Sequence, residues 1–201
     1  MKVEFLGRHV RVESNGDYRE IWLTRPEARN ALDVVMRDEL FSVLTALAAD
    51  TSVQRIGLLG EGADFCSGGD LQEFGTAKDT AAAWAIRVAR SLPVLFIELA
   101  PRLVVGVHGA AVGAGIELAA FAHRVLASAD ARFRLPELAM GLLPGSGGTV
   151  SIATRIGPHR TLEMLLTGRW IGSEEAKRIG LVDELVGRDR LTAAVREAAA
   201  Q

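Results

Sequence analysis

Two glutamates stand in apolar surroundings, where a carboxylate without a partner is rare. Glu117 follows a run of small and apolar residues, and Glu137 lies within the mostly apolar segment 133–141. Burying a charge costs free energy, so each carboxylate must either be paired with another group or take part in chemistry. Two carboxylates that face each other hold one proton between them, with pKa values pushed apart, and general acid–base chemistry on a bound water needs that arrangement. From spacing alone, structural salt bridges to Arg124 or Arg134 explain the pair equally well.

A glycine-rich turn precedes Glu117. Residues 109–115 read Gly-Ala-Ala-Val-Gly-Ala-Gly, and small residues let a ligand approach the N–H groups of a helix N-terminus. Nucleotide-binding dehydrogenases use a similar spacing, but the turn is in the middle of the chain and Tyr18 is the sole tyrosine, which excludes a Tyr-x-x-x-Lys pair. No Gly-Lys-Ser/Thr follows a glycine run, so an NTPase phosphate loop is excluded as well.

A second turn, residues 65–70, reads Phe-Cys-Ser-Gly-Gly-Asp. It is either a loop whose backbone amides face a site or an ordinary loop with a helix cap at Asp70. Cys66 has no evident partner base, so we interpret it as a small buried residue rather than a nucleophile.

Three further polar residues lie near these turns. Arg25 and Arg29 flank Pro26 and are candidates either for a phosphate or for a solvated surface. We interpret His108, at the end of a strand, as a structural histidine, and the four histidines show no metal-ligand spacing.

The elements that must position these residues alternate between strands and helices, which predicts an α/β protein with largely parallel strands. The predicted strands are a hairpin about Asn15-Gly16, then 55–59, 103–107 and 124–128. The predicted helices follow an Asp33 cap, span 80–92 before Pro93, open near Ala114, span 161–166, run from a Ser173 cap to Gly180, and begin at Asp189. The first of these buries Met36, Leu40, Val43, Leu44 and Leu47. Residues 133–149 are predicted to be irregular.

Length and composition indicate one globular domain. The chain has 201 residues, 49% of them hydrophobic and 24% charged, with a formal net charge of −2 and one cysteine. This balance gives no electrostatic footprint for nucleic acid or an anionic membrane and no disulfide framework. Residues 103–122 are apolar but broken by four glycines, so we interpret them as buried core rather than a membrane span. No apolar run of signal-peptide length opens the chain, so a cytoplasmic location is expected.

The ordered set of motifs resembles the enoyl-CoA hydratase/isomerase, or crotonase, family over about residues 8 to 187. The motifs, in family order, are 25–32 (RPEARNAL), 65–70 (FCSGGD), 113–118 (GAGIEL), Pro136-Glu137 with Gly141, 144–149 (PGSGGT), 166–168 (LTG) and 176–182 (AKRIGLV).

The resemblance implies a fold, a ligand and an organisation. The expected fold is an α/β, crotonase-like spiral of repeated ββα units, and the expected partner is an acyl-CoA thioester, with no nucleic acid and no membrane. Residues 1–187 would form the core domain and 188–201 a short C-terminal helix, truncated relative to the family. The resemblance also implies a homo-oligomer, trimeric or hexameric. It implies no metal and no redox cofactor, since coenzyme A is part of the substrate.

Site residues carry over position by position. By resemblance, Glu117 and Glu137 are catalytic, and the backbone N–H groups of Gly69 and Ala114 form the oxyanion hole. Ala114 stands where the family usually has glycine. The remaining positions, which the resemblance places at the substrate, are Arg29, Ser67, Gly68, Asp70, Leu71, Gly113, Pro136 and Gly145.

Because both glutamate positions are filled, the expected activity is that of an enoyl-CoA hydratase. Another reaction of the family is the first alternative: double-bond isomerisation, decarboxylation, dehalogenation or thioester hydrolysis. A non-catalytic acyl-CoA-binding protein is the second. The acyl-chain length and the pathway stay open.

Overall fold

The computed structural model describes residues 1–201, apart from the side chains of Ala83, Ile86 and Arg87. The strands are β1 (Lys2–Leu6), β2 (Val10–Asn15), β3 (Tyr18–Leu23), β4 (Arg55–Gly60), β5 (Leu103–Val107), β6 (Ala110–Val112), β7 (Arg124–Ser128), β8 (Arg132–Arg134), β9 (Ile171–Gly172) and β10 (Glu184–Val186). The helices are α1 (Val34–Ala49), α2 (Thr80–Ala89), α3 (Leu92–Leu99), α4 (Ala114–Ala119), α5 (Gly148–Ile156), α6 (Pro158–Thr167), α7 (Ser173–Ile179) and α8 (Leu191–Ala199).

Two sheets organise the chain. The larger has the order β1-β2-β3-β4-β5-β7-β10, and the smaller has the order β6-β8-β9. From β3 onward all neighbours in the larger sheet are parallel, whereas β1, β2 and β3 pair antiparallel. The predicted hairpin is confirmed, with Gly16 at φ +59° in its turn. The prediction of largely parallel strands is confirmed too, with an antiparallel edge that includes the unpredicted β1.

Each face of the larger sheet is covered by helices. Helix α1 carries the main core on one side, and its five buried residues are those that the sequence predicts. Helix α8 packs on the other side, where Leu191, Val195 and Ala198 cover apolar side chains of β4, β5 and β7. The apolar face of the last predicted helix is therefore buried within this chain.

A buried glutamate anchors α8 to the sheet. Glu20 on β3 is fully buried, and its carboxylate accepts two hydrogen bonds from Arg196, at 2.7 and 2.6 Å. Tyr18 and Trp22 donate to the same carboxylate. A fully buried carboxylate needs such a full set of hydrogen-bond donors.

Two predicted helix boundaries are wrong. The sequence treats Pro93 as the end of one helix over 80–92, but α2 ends at Ala89 and Pro93 lies in the first turn of α3. Proline suits a first turn because the N–H that it lacks has no partner there. Ser173 is the first residue of α7 rather than its cap, and its hydroxyl donates to the carbonyl of Ala129. The end of α7 at Gly180 is confirmed.

The segment predicted to be irregular, 133–149, is largely ordered. It contains most of β8, a 3-10 helix over Glu137–Met140, and the start of α5. Strand β8 pairs with β6 and β9, which are distant in sequence, so no local pattern marks it. The apolar stretch 103–122 divides into β5, β6, α4 and their turns. Among the described helices, none combines the length and apolarity that a membrane crossing requires.

Candidate functional site

The two glycine-containing turns lie side by side. A parallel bridge pairs Cys66 with Ala111, and Gly69 and Ala114 each follow three residues later. Both amides therefore lie at the same end of the paired segments. Gly68 brings the turns close: at φ +95°, a Cβ on this residue would lie 2.8 Å from the carbonyl oxygen of Val112 and 3.7 Å from the nitrogen of Ala114.

The N–H groups of Gly69 and Ala114 are not used in the backbone hydrogen bonds of the described residues. Leu32 donates to the carbonyl of Gly68 at 2.8 Å and accepts from the N–H of Asp70 at 3.1 Å, so Gly69 between them directs its own N–H away from Leu32. Ala114 is the first residue of α4, where an N–H has no partner within the helix. In the described chain neither group donates to a backbone carbonyl.

Glu117 is buried in the first turn of α4, and backbone amides solvate its carboxylate. Its Oε2 accepts from the N–H of Ser146 at 2.7 Å and from the N–H of Gly148 at 2.8 Å. Gly148 opens α5, so the carboxylate lies at the positive end of that helix. A Cβ on Gly148 would lie 2.5 Å from Cγ of Glu117, so only glycine leaves room for this contact.

Glu137 opens the 3-10 helix that follows β8 and is 7% exposed. Its Oε1 lies against Gly113, where a Cβ would come within 2.4 Å. Among the described residues, its buried Oε2 has no hydrogen-bond partner. The pKa of Glu137 is raised to about 7, mainly by burial and to a smaller extent by the negative charge of Glu117, while a backbone hydrogen bond opposes the rise. Near neutral pH this carboxyl can therefore hold or release a proton.

The structure brings the two glutamates together and removes the salt-bridge alternative. Arg124 pairs with Glu184 at 2.8 Å. Arg134 donates to the carbonyl of Gly168 at 2.5 Å and lies near the ring of Trp170. The interpretation of the glutamates as partners of these two arginines is wrong.

Three of the predicted substrate positions flank the glutamates. Gly113 contacts Glu137, Pro136 precedes it, and Gly145 precedes the serine whose amide binds Glu117. Ser67 and Gly68 lie in the turn that carries Gly69.

The other predicted positions lie further out on the same loops. Leu71 is exposed, and Arg29 directs a largely exposed side chain past Asp64, with 3.7 Å between Nε and Oδ2. The carboxylate of Asp70 turns away to Arg25, at 2.7 Å, and caps the following 3-10 turn through the N–H of Gln72. Arg25, interpreted as a phosphate ligand or a solvated residue, is instead a largely buried ion-pair partner.

The interpretations of Cys66 and His108 as structural residues are confirmed. Burial raises the pKa of the Cys66 thiol to about 12, so at neutral pH it is not a thiolate. His108 is buried with Nε2 at 3.2 Å from the carbonyl of Gly62, and burial lowers its pKa.

Sequence reasoning missed two contributors. The amides of Ser146 and Gly148 hold Glu117, and the sole signal for them is the glycine run that surrounds them. The ring of Phe74 covers Gly69, where a Cβ would lie 3.0 Å from the ring edge. Its only signal in the sequence is an aromatic residue shortly after a glycine pair.

Comparisons with known proteins identify the family to which this chain belongs. A family model described as enoyl-CoA hydratase/isomerase matches residues 13–201. A "Probable enoyl-CoA hydratase" of Rhizobium meliloti (strain 1021) is 34% identical over 187 residues, covering 90% of this chain and 69% of that protein. The 2,3-dehydroadipyl-CoA hydratase of Escherichia coli (strain K12) is 36% identical over 175 residues, covering 83% and 65%. The chain thus spans about two thirds of the length of these relatives.

Solved structures of similar sequence share the fold of this chain. A Thermobifida fusca YX protein described as an enoyl-CoA hydratase and solved in complex with CoA superposes with a TM-score of 0.86 at 31% identity, covering 96% of this chain and 77% of that one. This likeness confirms the expected fold class, an α/β spiral of repeated ββα units.

Proposed function

The chain belongs to the enoyl-CoA hydratase/isomerase family, and from that premise we propose that it adds water across the 2,3 double bond of an enoyl-CoA thioester. One observation carries the proposal: Glu117 and Glu137 are both buried and lie near each other, and burial, together with the charge of Glu117, raises the pKa of Glu137 to about 7. A binding protein has no use for a proton held at neutral pH in an apolar site, whereas hydration needs an acid and a base together.

The amides of Gly69 and Ala114 would polarise the substrate. As water adds to the β-carbon, negative charge moves to the thioester oxygen, and two N–H donors that need no reorganisation stabilise that charge. Removing one such donor from other enzymes costs on the order of 3–4 kcal/mol in the transition state. Because the donors are backbone groups, the methyl of Ala114 keeps the hydrogen bond and changes only the space beside the thioester.

The glutamates would divide the proton transfers. Glu117, held by two amides, accepts a proton from water as the oxygen bonds to the β-carbon, and Glu137 delivers its proton to the α-carbon. The substrate gains one water, and the pair of carboxyls holds one proton before and after the step. The reaction needs no cofactor beyond the coenzyme A of the substrate. General acid–base assistance of this kind is worth about 10²–10⁴-fold.

Substrate contacts and assembly complete the proposal. The CoA-bound relative supports an acyl-CoA ligand, and the loops that carry Arg29, Ser67, Leu71 and Gly145 would contact it. We also propose a homo-oligomer, trimeric or hexameric, because large apolar side chains on α3, α5 and α6 are exposed in this protomer. These residues include Val94, Ile97, Val150, Leu162 and Leu166.

The direct test follows the ultraviolet absorbance of crotonyl-CoA and of a longer enoyl-CoA, since hydration removes the conjugated chromophore. We expect the absorbance to fall with the wild type and to stay constant with Glu117→Gln and with Glu137→Gln. A Glu137→Gln variant with full activity would refute the two-carboxylate mechanism. Binding of the thioester without any loss of absorbance in the wild type would favour another reaction of the family or a binding role.

A glycine variant tests the placement of Glu117 without removing its charge. Gly148→Ala puts a methyl where Cγ of Glu117 packs, so we expect activity to fall although both glutamates remain. Gly172→Ala is the matched control, because a Cβ there meets nothing within 4 Å. Equal activity of the two variants would contradict the proposed position of the base.

A further inference from the structure

Arg25 joins the segment 25–32 to the loop that carries Gly69. Its Nη1 donates to Oδ2 of Asp70 at 2.7 Å and to the carbonyl of Ala31 at 3.1 Å, and it lies 3.6 Å from Oδ2 of Asp33 at the start of α1. The guanidinium keeps the pKa of the Asp70 carboxyl below its ordinary range. Asp70 directly follows Gly69, so this ion pair fixes one side of the Gly69 peptide.

The backbone of the same segment holds the chain on both sides of Gly69. Leu32 holds the carbonyl of Gly68 and the N–H of Asp70, as described above, and the carbonyl of Arg29 accepts from the N–H of Ser67 at 3.0 Å. The loop that carries Gly69 is therefore bound to the segment 25–32 at three backbone positions and through the Arg25 side chain.

This segment is itself strained. Among the described residues, Arg29 and Asn30 are the only non-glycine residues with positive φ, at +51° and +53°. Each such residue costs on the order of 1 kcal/mol or more and persists only where its surroundings over-determine it. Here the side chain of Asn30 makes the contacts that hold this conformation. It accepts from the N–H of Arg25 and donates to the carbonyls of Glu61 and Asp64.

The contacts from the segment 25–32 compensate for the conformational freedom of Gly68 and Gly69. Gly68 and Gly69 have no side chains that could restrict rotation of the peptide between them, and glycine is the most permissive residue. An N–H that must point at a developing charge needs to be held within about 10–20°. The contacts that hold it must come from outside the loop.

We propose that Arg25 is a positioning residue that aims the Gly69 N–H by binding Asp70. The inference rests on the proposed oxyanion role of Gly69. Arg25 itself touches no reacting atom, so its effect reaches the reaction through the orientation of one amide.

The kinetic test measures Arg25→Lys and Asp70→Asn. The control is Arg55→Lys, which alters an ion pair with Asp17 at the opposite end of the parallel strands. Loss of a whole oxyanion donor costs about 10²–10³-fold in kcat, so we expect a misaimed donor to lower kcat by about tenfold or more with KM nearly unchanged. The control keeps the wild-type kcat. Asp70→Asn retains an oxygen for the turn that Asp70 caps, so it tests the contact even if Arg25→Lys does not fold.

An infrared measurement separates this inference from the hydration itself. Butyryl-CoA labelled with ¹³C at the carbonyl cannot be hydrated, and hydrogen bonds lower its carbonyl stretching frequency. We expect a downshift on binding to the wild type and a smaller downshift in both variants at saturating ligand. A full downshift and an unchanged kcat in the variants would overturn the role of Arg25.

The same probe distinguishes the two failures. If the wild type shifts the carbonyl band but hydrates no enoyl-CoA, the hydratase proposal fails, and reduced shifts in the variants still support the positioning role. If the wild type shifts no band, the oxyanion role of Gly69 fails and the inference with it.

Discussion

Replacing Glu137 by glutamine should make the protein more stable at alkaline pH. Burial and the charge of Glu117 raise the pKa of the carboxyl from 4.5 to about 7, so the folded state prefers the protonated form. Below pH 4.5 the carboxyl is protonated in both states and no pH-dependent term exists. Between 4.5 and 7 the unfolded state releases the proton that the folded state keeps, so the wild type loses stability as pH rises.

The size of the effect follows from that difference. Each unit of pKa difference is about 1.4 kcal/mol, so ionised Glu137 costs the folded state about 3 kcal/mol above pH 7. Glutamine has a similar shape and does not ionise. We therefore expect the free energy of unfolding of Glu137→Gln, relative to wild type, to rise by about 3 kcal/mol between acid and alkaline pH.

The assay is urea unfolding of both proteins at a series of pH values. Glu175→Gln is the control with the opposite sign. Arg169 lowers the pKa of the half-buried Glu175, so that variant should lose stability relative to wild type as pH rises from acid. A Glu137→Gln difference that is flat across neutral pH would refute the assignment of a buried, raised-pKa carboxyl.

Three further outcomes follow from the same contacts. Because hydration needs a proton on Glu137, kcat/KM should fall about tenfold per pH unit above about 7. The reverse reaction must show the same fall in its kcat/KM, since hydration neither takes up nor releases a proton. An activity that stays constant to well above that pH would contradict the role. Arg196→Gln removes the charged partner of the fully buried Glu20 and should cost about 3 kcal/mol in urea unfolding, whereas Arg190→Gln, which breaks an exposed pair, should cost less than about 0.5 kcal/mol. Cys66 should react with a thiol reagent only after denaturation; labelling of the native protein would show that the loop opens.

The sequence predicts those elements whose signals are local. Helix α1 has a capping aspartate and a regular apolar face, and the hairpin has an Asn-Gly turn, so both are found where they are expected. The small sheet is invisible at that level, because two- and three-residue strands such as β9 and β8 exist only through partners far along the chain. Pro93 misleads for a different reason: the same residue ends one helix or begins another.

The site divides in the same way. Residue type and apolar context single out Glu117 and Glu137 as unusual buried carboxylates, but the fold is needed to decide between a facing pair and salt bridges to arginines. The amides that hold Glu117 cannot be found in this way, since every residue except proline carries an N–H and only the fold decides which ones converge. Arg25 is the opposite case: its residue type suggests a phosphate ligand, but in the fold its guanidinium binds the carboxylate of Asp70.

The backbone origin of the proposed oxyanion donors limits what conventional mutagenesis can detect. An alanine scan leaves the N–H of Gly69 in place and passes over Ala114 altogether, so it would rank both positions by packing and never by hydrogen bonding. Only proline deletes an amide proton, and position 114 accepts proline structurally because it opens a helix. The same feature means that any substitution at position 69 or 114 other than proline leaves the N–H present, whereas a single change at either carboxyl removes an acid or a base. Within a lineage of such chains, the kind of reaction can therefore drift while the ability to polarise a thioester is retained.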